Sequence, residues 1–372
     1  MRIAHIDTGR EWRGGQAQVL LLLRGLLDQG HAVVLAAPDA PLAERAREAG
    51  VAWIPVRTGG DFDFGAGARL ARGLSPWRPE LLHAHTARAH TLARAAGPML
   101  GAPVVVSRRV LAPIGRNPFS RRKYLRGVAR YLCISRSVMD VLARGGAEAA
   151  RLALVPSAVD LGALGEVRER VSRGEFGASL RELAGAPANA MLVGAVGALT
   201  REKGIDTFVS AAAATLAVHP DTWWVWIGDG PERSRLERAC ARRGIAQRVR
   251  VLGFRRDAHD LVAQLTLFVS TSLHEGLGGA VLEAQALGVP VIATDSGGVR
   301  DSVEDGVNGR IVTGAAGLGA AITVAVGDPA TVVRWRDAAL ESVQRFSPAR
   351  MLERTLAEYA KVLSEGAAGG AD

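Results

Sequence analysis

Short runs dense in Val, Ile and Leu recur along the chain, each followed by a longer stretch of helical periodicity. RIAHID (2–7), AVVLAAP (32–38), VAWIPV (51–56), LLHAH (81–85), PVVVS (103–107), YLCIS (131–135) and LALVP (152–156) form one series. QAQVLLLLRGLLDQG (16–30) reads as the first helix, ended by Gly30. Near-continuous apolar strands alternating with helices predict parallel sheets covered on both faces. Residues 161–189, rich in Glu, Arg, Gly and Ala, interrupt the alternation with only weak periodicity. The series then restarts with MLVGAVG (191–197), WWVWIG (223–228), VRVLG (249–253), LTLFVS (265–270), VPVIAT (289–294) and GRIV (309–312). The prediction is an α/β chain of two doubly wound, Rossmann-like domains facing each other across a cleft, divided at 165/166. A length of 372 residues suits two cores better than one. A last helix is expected from Ser347 to Glu365, with Ser347 as N-cap and Pro348 in the first turn.

Open parallel sheets bind ligands at the carboxyl ends of their strands, so the loops there carry the candidate chemistry. In DTGREWRGGQAQ (7–18), Gly14 and Gly15 stand just before a helix, where free N–H groups favour an anion, although a tight turn explains a glycine pair equally well. In GALTREKGID (197–206), Arg201 and Lys203 are placed to neutralise a diphosphate, or simply form a solvated charged loop. GDGPERSRLE (228–237) reads as a structural strand–turn–helix junction around Asp229. The richest loop is TSLHEGLGGAVLEAQALG (271–288). Gly276, Leu277, Gly278 and Gly279 offer backbone N–H groups to a phosphate. Glu275 and Glu283, on either side, can each accept the two hydroxyl hydrogens of a vicinal diol, unless Glu283 merely faces solvent. HAHTARAH (83–90) brings His83, His85 and His90, with no carboxylate or cysteine to complete a metal set. His85 is the candidate for substrate contact; His83 and His90 read as structural.

The formal charge is +9, and 43 of 46 basic residues are arginine. Either a coding bias or anionic partners would give this balance. Aromatics amount to 5% and no nucleic-acid-binding signature is present, so nucleic acid is not an expected partner. Cys133 and Cys240 match no metal or redox spacing, and the N-terminus lacks the order of a signal peptide, which points to a cytoplasmic protein.

Taken together, these loops resemble the retaining nucleotide-sugar glycosyltransferases of family 4. EGLGGAVLEAQALGVPVIATDSGGVRDSVEDGVNGRIV (275–312) is similar to that family's E-x7-E motif with its downstream sequence. GALTREKG is similar to its basic loop, HAH to its first-domain histidine motif, and VPSAVD (155–160) to its hinge. The resemblance implies a GT-B fold whose C-terminal helix crosses back, giving an acceptor-side domain of 1–165 plus 347–372 and a donor-binding domain of 166–346. It implies Glu275 on the donor sugar hydroxyls, Glu283 on the ribose, Lys203 on the diphosphate, the 276–279 loop against diphosphate and sugar, Gly14 and Gly15 closing over the phosphates, and His85 turned to the cleft. Arg201 would stand in for the arginine the family often carries at Ala198. No metal or other cofactor is implied. The reaction would move a sugar from a nucleoside diphosphate sugar to a hydroxyl of a glycan or glycolipid acceptor, of the lipopolysaccharide or envelope kind. The segment 107–130, with Arg108, Arg109, Arg116, Arg121, Arg122, Lys123, Arg126 and Arg130, suits an anionic membrane surface at the inner face of the cytoplasmic membrane, or is a solvated basic helix. Rival readings are a nucleotide-sugar-binding protein without turnover and an NAD-dependent oxidoreductase; no GxGxxG follows any expected strand.

Overall fold

The computed structural model describes residues 1–56, 65–115 and 118–368. The chain divides into two compact units, Met1–Ala158 with Pro348–Asp372, and Val159–Ser347.

The first unit holds a parallel sheet of β1 (Arg2–Ile6), β2 (Ala32–Ala37), β3 (Ala52–Pro55), β4 (Leu81–Ala84), β5 (Val104–Arg108), β6 (Arg130–Cys133) and β7 (Leu152–Leu154), in the order β3-β2-β1-β4-β5-β6-β7. His5 of β1 lies opposite Leu35 of β2 and His83 of β4. The second unit holds β8 (Met191–Val196), β9 (Thr222–Ile227), β10 (Val249–Val251), β11 (Leu267–Ser270), β12 (Val291–Thr294) and β13 (Gly309–Val312), in the order β10-β9-β8-β11-β12-β13. All thirteen apolar runs are therefore strands. In each sheet the order reverses once, between β1 and β4 and between β8 and β11. Such a reversal splays the connecting helices to opposite faces and opens a crevice at the strand ends.

Ile3, Leu23, Leu35, Leu81, Val105 and Leu132 are buried around the first sheet, and Tyr359 of the final helix, Pro348–Ala368, joins them. That helix packs on Gly14–Asp28. A Cβ on Gly25 would come within 2.9 Å of Leu352, so the absent side chain is what lets the two helices touch. Arg130 Nη2 also donates to Glu365 at 2.7 Å. In the second unit Phe208 meets Trp224 and Trp226 edge-on, at ring-centroid separations of 5.2 and 5.1 Å, the arrangement favoured by ring quadrupoles.

The boundary expected at 165/166 falls inside a helix, Leu161–Ser172, whose N-cap Asp160 accepts from the Ala163 N–H at 3.1 Å. The units change over earlier, within VPSAVD, between Ala158 and Val159. The weakly periodic 161–189 stretch contains this helix and Leu180–Ala184, and Gly314–Gly327 and Pro329–Ser342 add two more that the pattern did not mark. Among the described residues no single helix is long and apolar enough to cross a membrane.

Candidate active site

In the second unit three loops at the sheet's carboxyl edge are laced together. Gly204, after β8, has φ of +65°, and a Cβ there would lie 1.9 Å from the Thr271 carbonyl oxygen. Only glycine permits this approach. Thr271 Oγ1 donates to the Lys203 carbonyl at 2.6 Å, and the Leu273 N–H to the Glu202 carbonyl at 2.8 Å. The result sets Lys203 against the loop that follows β11. Its Nζ donates to Glu275 Oε1 at 2.5 Å, and Ser272 Oγ donates to the same oxygen at 2.7 Å. The two charged side chains are 30% and 19% exposed, which leaves the pair partly open to a ligand. The loop after β12 clamps Glu275 from behind. The Glu275 N–H donates to the Ser296 carbonyl at 2.8 Å and its carbonyl accepts from Gly298 at 2.9 Å. A Cβ on Gly298 would lie 1.9 Å from the Gly276 oxygen.

Gly278, at φ of +87°, caps the helix Gly279–Ala286 without any side-chain hydrogen bond. The first two helical N–H groups, of Gly279 and Ala280, have no intrahelical acceptor and point outward from a positive helix end, as an anion requires. Leu277 is buried and can offer only its backbone. Glu283 stands apart from the Lys203–Glu275 pair: its Oε2 lies 3.5 Å from His259 Nε2, with the carboxylate 39% exposed. Hydrogen bonding to Glu283 raises the His259 pKa above its ordinary value against the opposing effect of burial. His259 escaped the sequence analysis because it lies in a stretch with no glycine or motif. Arg201 is turned outward, its side chain 85% exposed and its Nε 3.5 Å from Glu232. Arg201 takes no part in the Lys203–Glu275 bond, and its ion partner is Glu232. Gly228 and Gly197 are a packing junction, with a Cβ on Gly228 only 2.1 Å from the Gly197 oxygen.

In the first unit Gly14 and Gly15 are the opening residues of the helix Gly14–Asp28, not residues before it. No atom lies within 4 Å of a Cβ placed on either, and neither has a positive φ, so packing and backbone geometry make no demand for glycine there. Arg13, the N-cap, makes no side-chain hydrogen bond to the helix start, its Nε donating instead to Glu11 at 2.7 Å. Just upstream, the Arg45 guanidinium stacks over Trp12 at 3.8 Å and pins the loop.

At the ends of β1 and β4 lie His5, His83 and His85, all buried. His83 shares hydrogen bonds with the Tyr359 hydroxyl at 2.5 Å and with Ser107 Oγ at 2.9 Å, and so is structural. His85 Nδ1 faces Arg109 Nη1 and Nη2 at 3.3 and 3.4 Å, and His85 Nε2 lies 2.9 Å from His5 Nδ1. A guanidinium only donates. His85 Nδ1 is therefore the acceptor, its proton sits on Nε2, and it donates to His5. That leaves the His5 proton on Nε2, which is buried without a partner. Both ring nitrogens of His85 are thus engaged, by Arg109 and His5. Burial pushes all three imidazoles down, His5 to about 3, so they are neutral at pH 7. Their nitrogens lie within 4.8 Å of one another, close enough to hold a metal, yet five of the six already serve hydrogen bonds. His90 packs against Tyr124 and Tyr131.

The basic segment is less of a surface than its composition suggests. Arg130 and Val128 are buried, and Arg108 turns back to donate to the Ala112 carbonyl. Arg121, Arg122 and Arg126 are exposed. Arg116, and the side chains of Phe119 and Lys123, lie outside the described residues. Cys133 and Cys240 are buried free thiols, pushed up by burial to about 12 and about 11.

Comparison with known proteins identifies the family. Residues 12–163 match the model of Glycosyltransferase Family 4, and residues 190–328 that of Glycosyl transferases group 1. A 2-deoxystreptamine N-acetyl-D-glucosaminyltransferase of Streptomyces fradiae is 34% identical over 320 residues, 79% of this chain and 74% of the relative. A lipopolysaccharide core biosynthesis glycosyltransferase of Rhizobium meliloti is 36% identical over 127 residues, 34% of this chain and 36% of the relative. Among solved structures, Anabaena HepE in complex with UDP superposes over 97% of this chain and 100% of its own with a TM-score of 0.82 at 19% identity, so the likeness is one of fold. The paired parallel sheets, the returning helix and the two family matches make this chain a GT-B glycosyltransferase of family 4, an enzyme that transfers sugar from a nucleotide sugar.

Proposed function

We propose that this enzyme is a retaining, metal-independent transferase that uses a UDP-sugar. The observation that carries the reading is the part-exposed Lys203–Glu275 pair beside the uncapped helix at Gly279. Lys203 and the N–H groups of Gly279 and Ala280 hold the donor diphosphate and stabilise the negative charge that grows on it as the glycosidic bond breaks. Glu275, released from the lysine by the incoming phosphate, grips sugar hydroxyls, while Glu283 accepts from the ribose diol. His85 acts through Arg109 rather than by its own ring nitrogens. Arg201 adds only long-range charge. Attack occurs on the face the leaving group departs from, and the leaving phosphate oxygen takes the acceptor hydroxyl proton, so no protein base is needed. Uridine as the base is supported by related folds solved with UDP and with UDP-glucose.

The acceptor is read as an envelope glycan, with the enzyme working at the cytoplasmic face of the membrane. Support comes from lipopolysaccharide-building relatives and the exposed Arg121, Arg122 and Arg126. A small aminocyclitol acceptor is the second reading, favoured by the Streptomyces relative that aligns over most of the chain. A thermal-shift panel of UDP, ADP and GDP tests the donor. The expected result is selective stabilisation by UDP that Glu283→Ala weakens. Equal response to all three, or none, would remove the basis for a uridine donor.

A further inference from the structure

Among the described residues Arg109 is a cation without a counter-ion. It follows β5 directly, at the carboxyl edge of the first sheet, next to the reversal in strand order. Among the described residues its Nη1 and Nη2 hydrogen-bond only with His85, through the ring Nδ1 and, for Nη1, the carbonyl at 3.4 Å, and its Nε is buried with no partner. No carboxylate among the described residues lies within ion-pair distance. Asp7 is the acidic group whose charge reaches it, and that carboxyl is engaged by the Gly9 N–H at 2.6 Å and itself pushed up by burial. The three imidazoles behind it are neutral. Burial lowers the arginine pKa only to about 10, so the guanidinium keeps its charge. A partly buried cation surrounded by neutral groups is costly unless something supplies an anion.

The surroundings are built to receive one. The fourteen-residue helix Ala87–Leu100 starts immediately after His85, capped by Thr86, with no acidic residue in its first turn. Its leading N–H groups add positive potential at the same strand end. His85, fixed from behind by His5, holds the guanidinium rather than competing with it for a ligand. A planar fork held in one orientation matches the oxygens of a phosphoryl or carboxylate group.

We propose that Arg109, positioned by His85 and His5, is the binding residue for an oxyanion carried by the acceptor, and that the natural acceptor is therefore a phosphorylated or carboxylated glycan rather than a cationic aminocyclitol. The inference rests on the reading that the donor diphosphate belongs to Lys203 in the second unit, which leaves the first-unit cation for the other substrate.

Calorimetric titration of inorganic phosphate and, separately, of UDP into wild type, Lys203→Ala, Arg109→Gln and Arg109→Lys tests it. Phosphate binding should survive Lys203→Ala, weaken by at least about tenfold in Arg109→Gln, and partly return in Arg109→Lys, which keeps the charge but loses the fork. UDP affinity should be unchanged in Arg109→Gln. Because Arg109→Gln also disturbs His85, phenylglyoxal labelling of the wild type gives an arm that needs no variant: phosphate should protect Arg109, read by peptide mass spectrometry, against Arg108 as internal control. Unprotected Arg109, absent phosphate binding, or phosphate binding unaffected by Arg109→Gln would overturn the site. Parallel loss of UDP and phosphate in Arg109→Gln would assign the oxyanion to the donor and overturn the acceptor claim. Failure of wild type to bind UDP would instead sink the donor reading, with the phosphate arms still decisive for Arg109.

Discussion

Lys203→Met separates the two jobs of one ammonium group. The stem is retained and the charge removed. Without ligand, the change deletes the 2.5 Å bond to Glu275 and leaves that carboxylate with Ser272 alone on Oε1. Exposed pairs contribute less than about 1 kcal/mol, and breaking a fully buried one costs about 3–5 kcal/mol. With the two side chains 30% and 19% exposed, the cost should fall between, near 1–2 kcal/mol. That is a melting shift of roughly 3–6 °C for a unit of this size. The catalytic cost is separate and larger. A prearranged group aimed at developing charge contributes about 2.7–4 kcal/mol, so kcat should fall about 10²–10³-fold. Steady-state UDP release at a temperature well below both melting points measures kcat and KM apart from stability. Glu275→Gln and the double variant complete the cycle. Their stability losses should be less than additive because the same pair is removed. A folded Lys203→Met enzyme with kcat within about tenfold of wild type would refute the assignment of Lys203 to the leaving group.

Tyr359→Phe should cost about 1–3 kcal/mol, since the hydroxyl bonded to buried His83 at 2.5 Å disappears and leaves the imidazole nitrogen unpaired; an unchanged urea midpoint would show that the bond contributes nothing. The His259–Glu283 pair carries a pH signature. Because the folded pKa of His259 is raised, its stabilisation is complete below the ordinary histidine value and is lost as pH rises through the raised one. With the ring half-exposed, solvent screening holds the effect to the order of 0.5 kcal/mol. Melting of wild type and His259→Gln should differ at about pH 5.5 and converge by about pH 8.5; a gap that widens with pH would reverse the reasoning.

The strands were legible because both faces of each parallel sheet are covered, so every strand is written as an apolar run. Helices such as Leu161–Ser172 were not, since only Leu164 is buried and the remaining positions carry no stripe. The loop chemistry divided along the same line. Lys203, Glu275 and the glycines at 276–279 stood out because tight approaches such as Gly204 on Thr271 restrict which residues can occupy the loop. Contacts between distant segments left no local trace. Nothing near Arg201 in sequence announces Glu232 as its partner, and HAH does not reveal that His5, eighty residues earlier, and Arg109 take both nitrogens of His85. Arg109 was counted among basic surface residues, where composition could not distinguish it from the solvent-facing Arg121.

The returning helix imposes an order on the chain's assembly. His83 is bonded to a hydroxyl 276 positions later, and the core around β1 is closed by Leu352, Tyr359 and Val362. A ribosome delivers the whole of Val159–Ser347 before any of these residues emerges. The second unit, continuous in sequence, can therefore acquire its native packing during synthesis, while the first waits with a solvent-exposed apolar groove until the helix from Pro348 has been made. Nascent chains arrested before residue 348 should accordingly present that groove to chaperones, and the second unit should mature first.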